Sequence, residues 1–261
     1  MTTYTNPTPS VDYPVIPKKV DKSLVNNYNE NNSIYYAFLD VLGFKQIFHD
    51  NKQSPDSSFA KRFEDVFTYY FDLMNSANFM LSSGNLCYAG QISDSLYFYT
   101  DREDYLIEFL KIFSHINIYA MTQDVFFRGG VAKGSLYYKQ RHQFYGESVI
   151  NAYLLESEIS KNPVIVIDEN TFQAIKAIPD SAALISYERS RHLIRPFAFL
   201  ENNFVLDVDQ YKIKKLNIDS IPKIIGKNKS KFEYDAKNYD KYVFLSDQFD
   251  NMNKKAKATI K

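Results

Sequence analysis

The sequence predicts a mixed α/β (α+β) fold in which a partly antiparallel sheet is flanked by helices. An apolar run at residues 34–41 has the length and composition of a buried strand. Apolar residues recur at three- and four-residue steps over residues 59–73 and 105–119, which is typical of amphipathic helices. Between them, two short apolar segments flank a polar turn at residues 93–95. That pattern predicts a β-hairpin and makes part of the sheet antiparallel.

The other elements of this domain follow in chain order. A short helix is expected after the first strand, ending near Phe48, and residues 55–58 supply the start of the first periodic helix. Residues 125–138 read as a strand that contains several glycines. A further helix opens after Gly146, and the β-branched residues within 163–168 predict one more short strand. Strands and helices therefore alternate, as in an α/β sandwich.

The chain divides into three parts by pattern. Residues 1–32 combine prolines with asparagines and are expected to form a flexible leader. Residues 33–168 carry the alternating elements and form one domain. Residues 169–261 show a weaker pattern and are expected to be a C-terminal extension that packs on or follows that domain. Within it, residues 184–199 and 204–208 are expected to supply one or two strands, and residues 242–261 a helix.

Composition excludes several classes of function. Lys plus Arg and Asp plus Glu are equal at 31 each, so no net charge attracts nucleic acid or a membrane surface. The single cysteine, Cys87, excludes an internal disulfide and suits a reducing compartment. Apolar runs are broken by charges before they reach membrane-spanning length, and no secretory signal is visible. We therefore expect a cytoplasmic protein without direct membrane or nucleic-acid binding.

Two aspartates are the first candidate functional residues. Asp40 lies at the end of the first buried strand, where an unpaired carboxylate costs several kcal/mol. Asp94 lies at the hairpin tip and would meet Asp40 if the two strands were neighbours. Adjacent carboxylates repel each other unless cations lie between them, so their complement is a divalent-ion site. The simpler alternatives are that Asp40 caps the following helix and that Asp94 is only a turn residue.

Further features indicate phosphate binding. The segment from Gly43 to Lys45 places backbone amides at a strand-to-helix junction, which is a common phosphate site. Arg128 precedes two glycines, and its guanidinium could bind phosphate oxygens in a bidentate manner. For Arg128 the simpler alternative is a surface ion pair.

Four segments together resemble the ordered signatures of class III nucleotidyl cyclases, over residues 33–168. They are FLDVLGF at 38–44, ISDS at 92–95, RGGVAKG at 128–134 and YGESVINAYLLE at 145–156. The resemblance implies a ferredoxin-like catalytic domain and a homodimer with active sites at the subunit interface. It also implies two divalent cations, Mn²⁺ or Mg²⁺, held by Asp40, Asp94 and the backbone carbonyl of Val41, with Arg128 contacting the triphosphate.

The chain departs from the family pattern at the base-reading and transition-state positions. Gly90 stands where adenylate-forming members have a lysine, and Gln143 stands at the position of their base-reading aspartate. Ile150 and Leu154 occupy the positions of the transition-state asparagine and arginine. Lys133, Asn151 and Arg141 are candidate substitutes for those two groups. The residues expected to bind substrate or metal are thus Asp40, Val41, Leu42, Gly43, Phe44, Lys45, Gly90, Asp94, Arg128 and Gln143, of which Asp40, Asp94 and Arg128 are the catalytic candidates.

Retained metal carboxylates with non-purine base positions are similar to the pyrimidine cyclases of Pycsar antiphage defence. The run Ala152-Tyr153-Leu154-Leu155-Glu156 also resembles that branch. The implied reaction converts UTP, placed ahead of CTP, to a 3′,5′-cyclic monophosphate and pyrophosphate. The product would activate a separate effector protein.

Two alternatives remain open at this point. A diguanylate-cyclase-like enzyme predicts a Gly-Gly-Asp/Glu-Glu-Phe hairpin, which residues 92–95 do not supply. A catalytically degenerate cyclase domain, acting as a nucleotide sensor or dimerisation module, is favoured by the apolar Ile150 and Leu154. The retention of Asp40 and Asp94 argues against it.

Overall fold

The fold is seen in a computed structural model, which describes residues 29–53, 55, 58–77, 86–140, 143–188 and 190–259. Most of the predicted leader, through residue 28, lies outside these described residues, and so does Arg141. No helix in the described part of the chain combines the length and apolar composition that crossing a membrane requires.

A sheet of eight strands forms the centre of the described structure, confirming a mixed α/β fold with a partly antiparallel sheet. The strands follow the order β2-β3-β1-β4-β6-β8-β7, and β5 pairs with β4. The β4–β6 pair is parallel, and the other pairs are antiparallel. The strands are β1 (Asn29–Val41), β2 (Cys87–Ile92), β3 (Ser95–Thr100), β4 (Phe127–Gln140), β5 (Gln143–Tyr145), β6 (Ile165–Ile167), β7 (Ile185–Glu188) and β8 (Arg191–Ile194).

Helices cover both faces of this sheet and one end of it. The helix Glu147–Leu154 runs directly into a π-helical turn, Leu155–Ile159. Single 3₁₀ turns lie at Glu103–Tyr105, Gln210–Lys212 and Ile218–Ser220. The α-helices are α1 (Phe44–Gln53), α2 (Phe59–Ser76), α3 (Leu106–Thr122), α4 (Glu147–Leu154), α5 (Glu169–Ile175), α6 (Ser181–Leu184), α7 (Ala198–Asn202), α8 (Ile221–Lys231) and α9 (Ala236–Thr259).

Strand β1 divides its side chains between two packed layers because neighbouring residues of a strand point to opposite faces. Tyr35, Ala37, Leu39 and Val41 are buried in the main core, to which α2 and α3 contribute most of the other side chains. Ile34 and Tyr36 belong to a second cluster with Tyr97, Tyr99 and Ala152, on the face that α4 covers. Asp40 has the same parity as Tyr36 and therefore faces the α4 side.

The segment after residue 168 shares this sheet and adds a third cluster. Strand β8 pairs with β6 through Ile194 and Ile165, and β7 pairs with β8. At one end of the sheet, Leu42, Phe126 and Phe197 are buried against α8 and α9. The predicted helix near the C-terminus is confirmed as α9, although it begins at Ala236 instead of residue 242.

Two expectations about element bounds were wrong. Strand β1 begins at Asn29, so residues 29–32 are not leader; Asn29 pairs with Tyr138 of β4, and this tertiary pairing outweighs the weak strand propensity of asparagine. Helix α1 continues past Phe48 to Gln53. Of the region 184–208, β7 and β8 are the strands, while Val208 makes only an isolated bridge to Ala77.

His115 lies in the centre of α3 and is 2% exposed. Its Nε2 atom is 2.8 Å from the Tyr69 hydroxyl, which also accepts a hydrogen bond from the Lys214 backbone amide. Burial lowers the pKa of His115 to about 4. The imidazole is therefore neutral in the folded protein at neutral pH.

We expect His115 to make the folded state less stable as the pH falls from about 6.5 to about 4. In that window the unfolded chain binds a proton that the folded site excludes, so a contribution present above pH 6.5 is lost, up to about 3 kcal/mol. Urea unfolding across the pH range measures it. His115→Phe should flatten the dependence, and His49→Gln, on the exposed surface of α1, should not. An unchanged pH profile in His115→Phe would contradict this assignment.

Candidate active site

The strand register brings Asp40 beside two polar partners. Asp40 lies opposite Ser95 of β3 on one side and opposite Arg128 of β4 on the other. The Ser95 hydroxyl donates a hydrogen bond of 3.0 Å to Asp40 Oδ1, and Arg128 Nη2 lies 3.5 Å from Oδ2. Asp40 is thus neither a bare buried acid nor a simple helix cap.

Asp94 lies at the tip of the β2–β3 hairpin, in the two-residue turn between Ile92 and Ser95. Ser93 precedes it with φ of 55°, as in the II′ turns that match the twist of paired strands. Burial raises the pKa of Asp40, and the nearby Asp94 charge raises it further. The structure therefore brings the two predicted acids into one electrostatic neighbourhood.

Glu156 is a third acid in this neighbourhood, and it was not among the predicted site residues. It lies in the π-helical turn after α4, its side chain is 3% exposed, and its Oε1 atom is 2.6 Å from Arg128 Nε. Burial raises the pKa of Glu156, Arg128 opposes that shift, and Asp40 adds to it. In the sequence, Glu156 stands out only as the last residue of the segment 145–156.

Glycine in β4 explains how α4 comes this close to the sheet. A Cβ atom at Gly130 would lie 2.2 Å from the Ala152 carbonyl oxygen and 2.6 Å from Leu155 Cβ. Any larger residue would push α4 and its π-helical turn outward. Gly130 is therefore needed for the contact between Arg128 and Glu156, which depends on that close packing.

The turn after β1 has the backbone geometry expected of a phosphate site. Gly43 has φ of +75°, a conformation that side-chain-bearing residues rarely adopt. Its carbonyl accepts the amides of Gln46 and Ile47 at 3.0 Å each, so the amides of Gly43, Phe44 and Lys45 precede the helical hydrogen bonds. Such first-turn amides favour anions.

The side chains of this turn have other roles. Leu42 is buried among apolar side chains, and its amide donates to the Phe126 carbonyl at 2.8 Å. Val41 is buried in the main core. Phe44 packs edge-on against Phe63, with ring centroids 5.3 Å apart. Val41 and Leu42 can therefore contribute to a substrate or metal site only through the backbone.

The two predicted base-reading residues lie apart in one chain. A Cβ atom at Gly90 would lie 2.2 Å from Tyr97 Cζ, so glycine here makes room for the Tyr97 ring. Gln143 is exposed and pairs with Gln140, at the end of β4 away from Arg128. With about 3.3 Å of rise per residue, the two ends of this 14-residue strand are roughly 40 Å apart.

Lys133, a candidate substitute for the transition-state groups, lies away from the other candidate site residues. Lys133 is opposite Tyr35, on the other face of β4 from Arg128, and forms an ion pair of 3.1 Å with Glu103. Within one chain, Lys133 therefore lies away from Asp40 and Arg128. Ile150 and Leu154 of α4 are 60% and 40% exposed. Their apolar side chains face solvent and contribute no charge to the site.

The carboxylates of Asp40 and Asp94 fit a divalent cation, but they do not complete its set of ligands by themselves. Asp40 is short of positive charge because it shares a single guanidinium with Glu156, and carboxylate oxygens are the ligands that Mg²⁺ and Mn²⁺ prefer. Across the described ranges, no group of three or more His, Cys, Asp or Glu side chains is arranged to hold a metal ion. Asp40 and Asp94 would need backbone, water and substrate oxygens as further ligands, as Mg²⁺ sites commonly do.

Comparisons with known proteins assign no family to the chain. No family model matches it, and no curated protein matches it. A solved structure of the catalytic core of a rhodopsin-guanylyl cyclase with converted specificity, in complex with ATPαS, is similar at a TM-score of 0.38 and 16% identity. The similarity covers 57% of this chain and 84% of the other. These values are too low for the likeness to assign an activity.

Removing one member of the Arg128–Glu156 pair should destabilise the protein more than removing both. Arg128→Met leaves a buried carboxylate without its nearest cation, and we expect a loss of about 3 kcal/mol in unfolding free energy. Adding Glu156→Met should restore most of that loss. Urea unfolding of the single and double variants measures the coupling.

The exposed Arg102–Asp104 pair is the matched control, for which the same double replacement should change stability by less than about 1 kcal/mol. Additive effects of Arg128→Met and Glu156→Met would show that the two side chains do not interact.

Proposed function

We propose that the protein is a nucleotidyl cyclase that converts a nucleoside triphosphate to a 3′,5′-cyclic monophosphate and pyrophosphate. The observation that carries this proposal is the register of β1, which sets Asp40 beside the Asp94 hairpin tip and directly before the amide-rich turn at Gly43. Carboxylates beside a phosphate-binding turn are what phosphoryl and nucleotidyl transfer requires.

The residues would divide the chemistry as follows. Asp40, Asp94 and the Val41 carbonyl would hold two divalent cations, Mn²⁺ or Mg²⁺. When bound, such cations favour deprotonation of the ribose 3′-hydroxyl and neutralise phosphate charge. The amides from Gly43 to Lys45 would bind phosphate oxygens. Arg128 would add a guanidinium whose N–H groups outnumber the carboxylate oxygens that now contact it.

The proposed substrate is a pyrimidine nucleotide, UTP ahead of CTP, and the product would act on a separate effector in antiphage defence. The support comes from the base positions. Gly90 is covered by Tyr97 and offers no charge, and the neutral amide of Gln143 can present both a donor and an acceptor to a pyrimidine edge. Because Gln143 lies far from Asp40 in its own chain, it would read the base from the second subunit.

A homodimer also fits the exposed apolar residues near the site. On α4, Ile150 and Tyr153 are 60% and 54% exposed, and Ile92 at the hairpin tip is 61% exposed. Clustered exposure of this kind is typical of a protein interface. A second copy is the proposed occupant because it would bring Gln143 towards the carboxylates.

A nucleotide-sensing or dimerisation module without turnover is the second candidate. It is favoured by the apolar Ile150 and Leu154, which stand where the resembled family places its transition-state groups. The two candidates differ in whether product forms.

Asp40→Asn and Asp94→Asn should each reduce cyclic nucleotide formation by at least about a hundredfold, because each loses a proposed metal-ligand charge. The assay incubates purified protein with each of the four nucleoside triphosphates and Mn²⁺ and resolves products by mass. Asp72→Asn is the matched control and should be fully active, because Asp72 is a partly exposed residue of α2 whose carboxylate lies 3.9 Å from Lys212 Nζ. Wild-type turnover in either site variant would falsify the metal assignment, and no turnover by the wild type would favour the sensor.

Ile150→Asp combined with Tyr153→Asp should convert a dimer to a monomer, because charges on a desolvated apolar contact are unfavourable. Light scattering coupled to size exclusion measures the mass. Tyr211→Asp, at an exposed aromatic residue outside the sheet, should leave the mass unchanged. A wild-type monomer, or a dimer that survives the double change, would remove α4 from the interface.

A further inference from the structure

Helix α9 packs against the end of the sheet that carries the candidate site. The Tyr242 ring contacts Phe126 edge-on, with centroids 5.2 Å apart, and both residues are buried in one cluster with Leu42. The Phe126 carbonyl binds the Leu42 amide, so this cluster joins β1 to the start of β4. The first turns of α9 therefore lie beside the strand ends that bear Asp40 and Arg128.

Lys241, immediately before Tyr242, is half-buried at this junction. Its ammonium donates a hydrogen bond of 2.8 Å to Asn238 Oδ1. Asn238 and Tyr242 line a cavity of about 190 Å³ that is also lined by Leu42 and Gly43. The lysine is thus held by a residue that lines the same cavity as Gly43 of the proposed phosphate-binding turn.

The charge around Lys241 is unusual for a helix-surface lysine. Burial lowers its pKa, and the positive charges of Arg128 and Lys237 lower it further, against the weaker opposing effect of Asp235. Its hydrogen-bond partner, the Asn238 amide oxygen, is neutral. Two cations that lie close together and are partly removed from water repel each other, and this arrangement is unfavourable unless an anion binds both of them.

The alternative is that Lys241 is an ordinary surface lysine. Another lysine of α9, Lys237, allows a direct comparison. Lys237 lies one turn earlier and is exposed, whereas Lys241 is half-buried. Arg128 is already engaged by Asp40 and Glu156, so a polyphosphate, with several negative charges, needs a second cation near the turn. Lys241 is positioned to be that cation.

We infer that Lys241 of α9 binds the phosphates of the substrate together with Arg128, so that the C-terminal segment supplies part of the site. This inference rests on the proposed function. It assigns Lys241 to substrate binding and gives residues beyond 168 a role in the chemistry, as well as in the sheet.

Two measurements test it with the full-length protein. The first is the KM for the nucleoside triphosphate that is turned over, and the second is calorimetric binding of inorganic tripolyphosphate in the presence of Mg²⁺. Lys241→Met should raise both the KM and the tripolyphosphate dissociation constant roughly tenfold or more, as expected for loss of one charge-assisted contact. Lys241→Arg should restore most of the affinity, and Lys237→Met should match the wild type.

The outcomes separate this inference from the proposed function. If the wild type makes product and Lys241→Met equals Lys237→Met in both measurements, the inference fails while the cyclase proposal stands. If no nucleotide is turned over but tripolyphosphate binds in a Lys241-dependent way, the cyclase proposal fails and the phosphate site stands. Absence of tripolyphosphate binding by the wild type overturns the inference. Circular dichroism of Lys241→Met confirms that the variant is folded.

Discussion

The pairing of β1 with both β3 and β4 is the constraint on which the candidate site depends. Each face of β1 is buried in a different layer, so a shift of one residue would turn Leu39 and Val41 away from the main core and Asp40 into it. The hydrophobic layers therefore fix the register, and the register sets Asp40 opposite Ser95 and Arg128. The position of the acid is a consequence of packing several residues away from it.

Local sequence patterns were sufficient for part of this arrangement. The β2–β3 hairpin, with Asp94 at its tip, follows from alternating segments around a short polar turn, and Asp40 follows from an apolar strand that ends in a glycine turn. Glu156 and Lys241 could not be found in this way. Glu156 reaches Arg128 only because α4 packs closely on a glycine of β4, and Lys241 is half-buried at the strand ends only through the packing of α9. Neither contact leaves a periodic signal in the sequence.

At the candidate site, burial and the nearby positive charge shift the pKa values of the carboxyl groups in opposite directions. Burial raises the pKa values of Asp40 and Glu156, and a neighbouring acid adds to each shift, Asp94 for Asp40 and Asp40 for Glu156. The Ser95 hydrogen bond and the Arg128 guanidinium oppose the shift of Asp40, and Arg128 opposes that of Glu156. Until further positive charge arrives, these acids become protonated at a higher pH than ordinary carboxylates. A divalent cation held by Asp40 as proposed would therefore displace protons when it binds.

The pairing of β8 with β6 has a consequence for how this chain can be divided. Strand β6 has three buried residues, Ile165–Ile167, and its outer edge is covered by β8. A polypeptide ending at residue 168 would present that edge, rich in β-branched side chains, to solvent. Unprotected edges of this kind recruit strands from other molecules. A shortened protein would therefore tend to aggregate, and its insolubility would reflect a cut sheet instead of a separable domain.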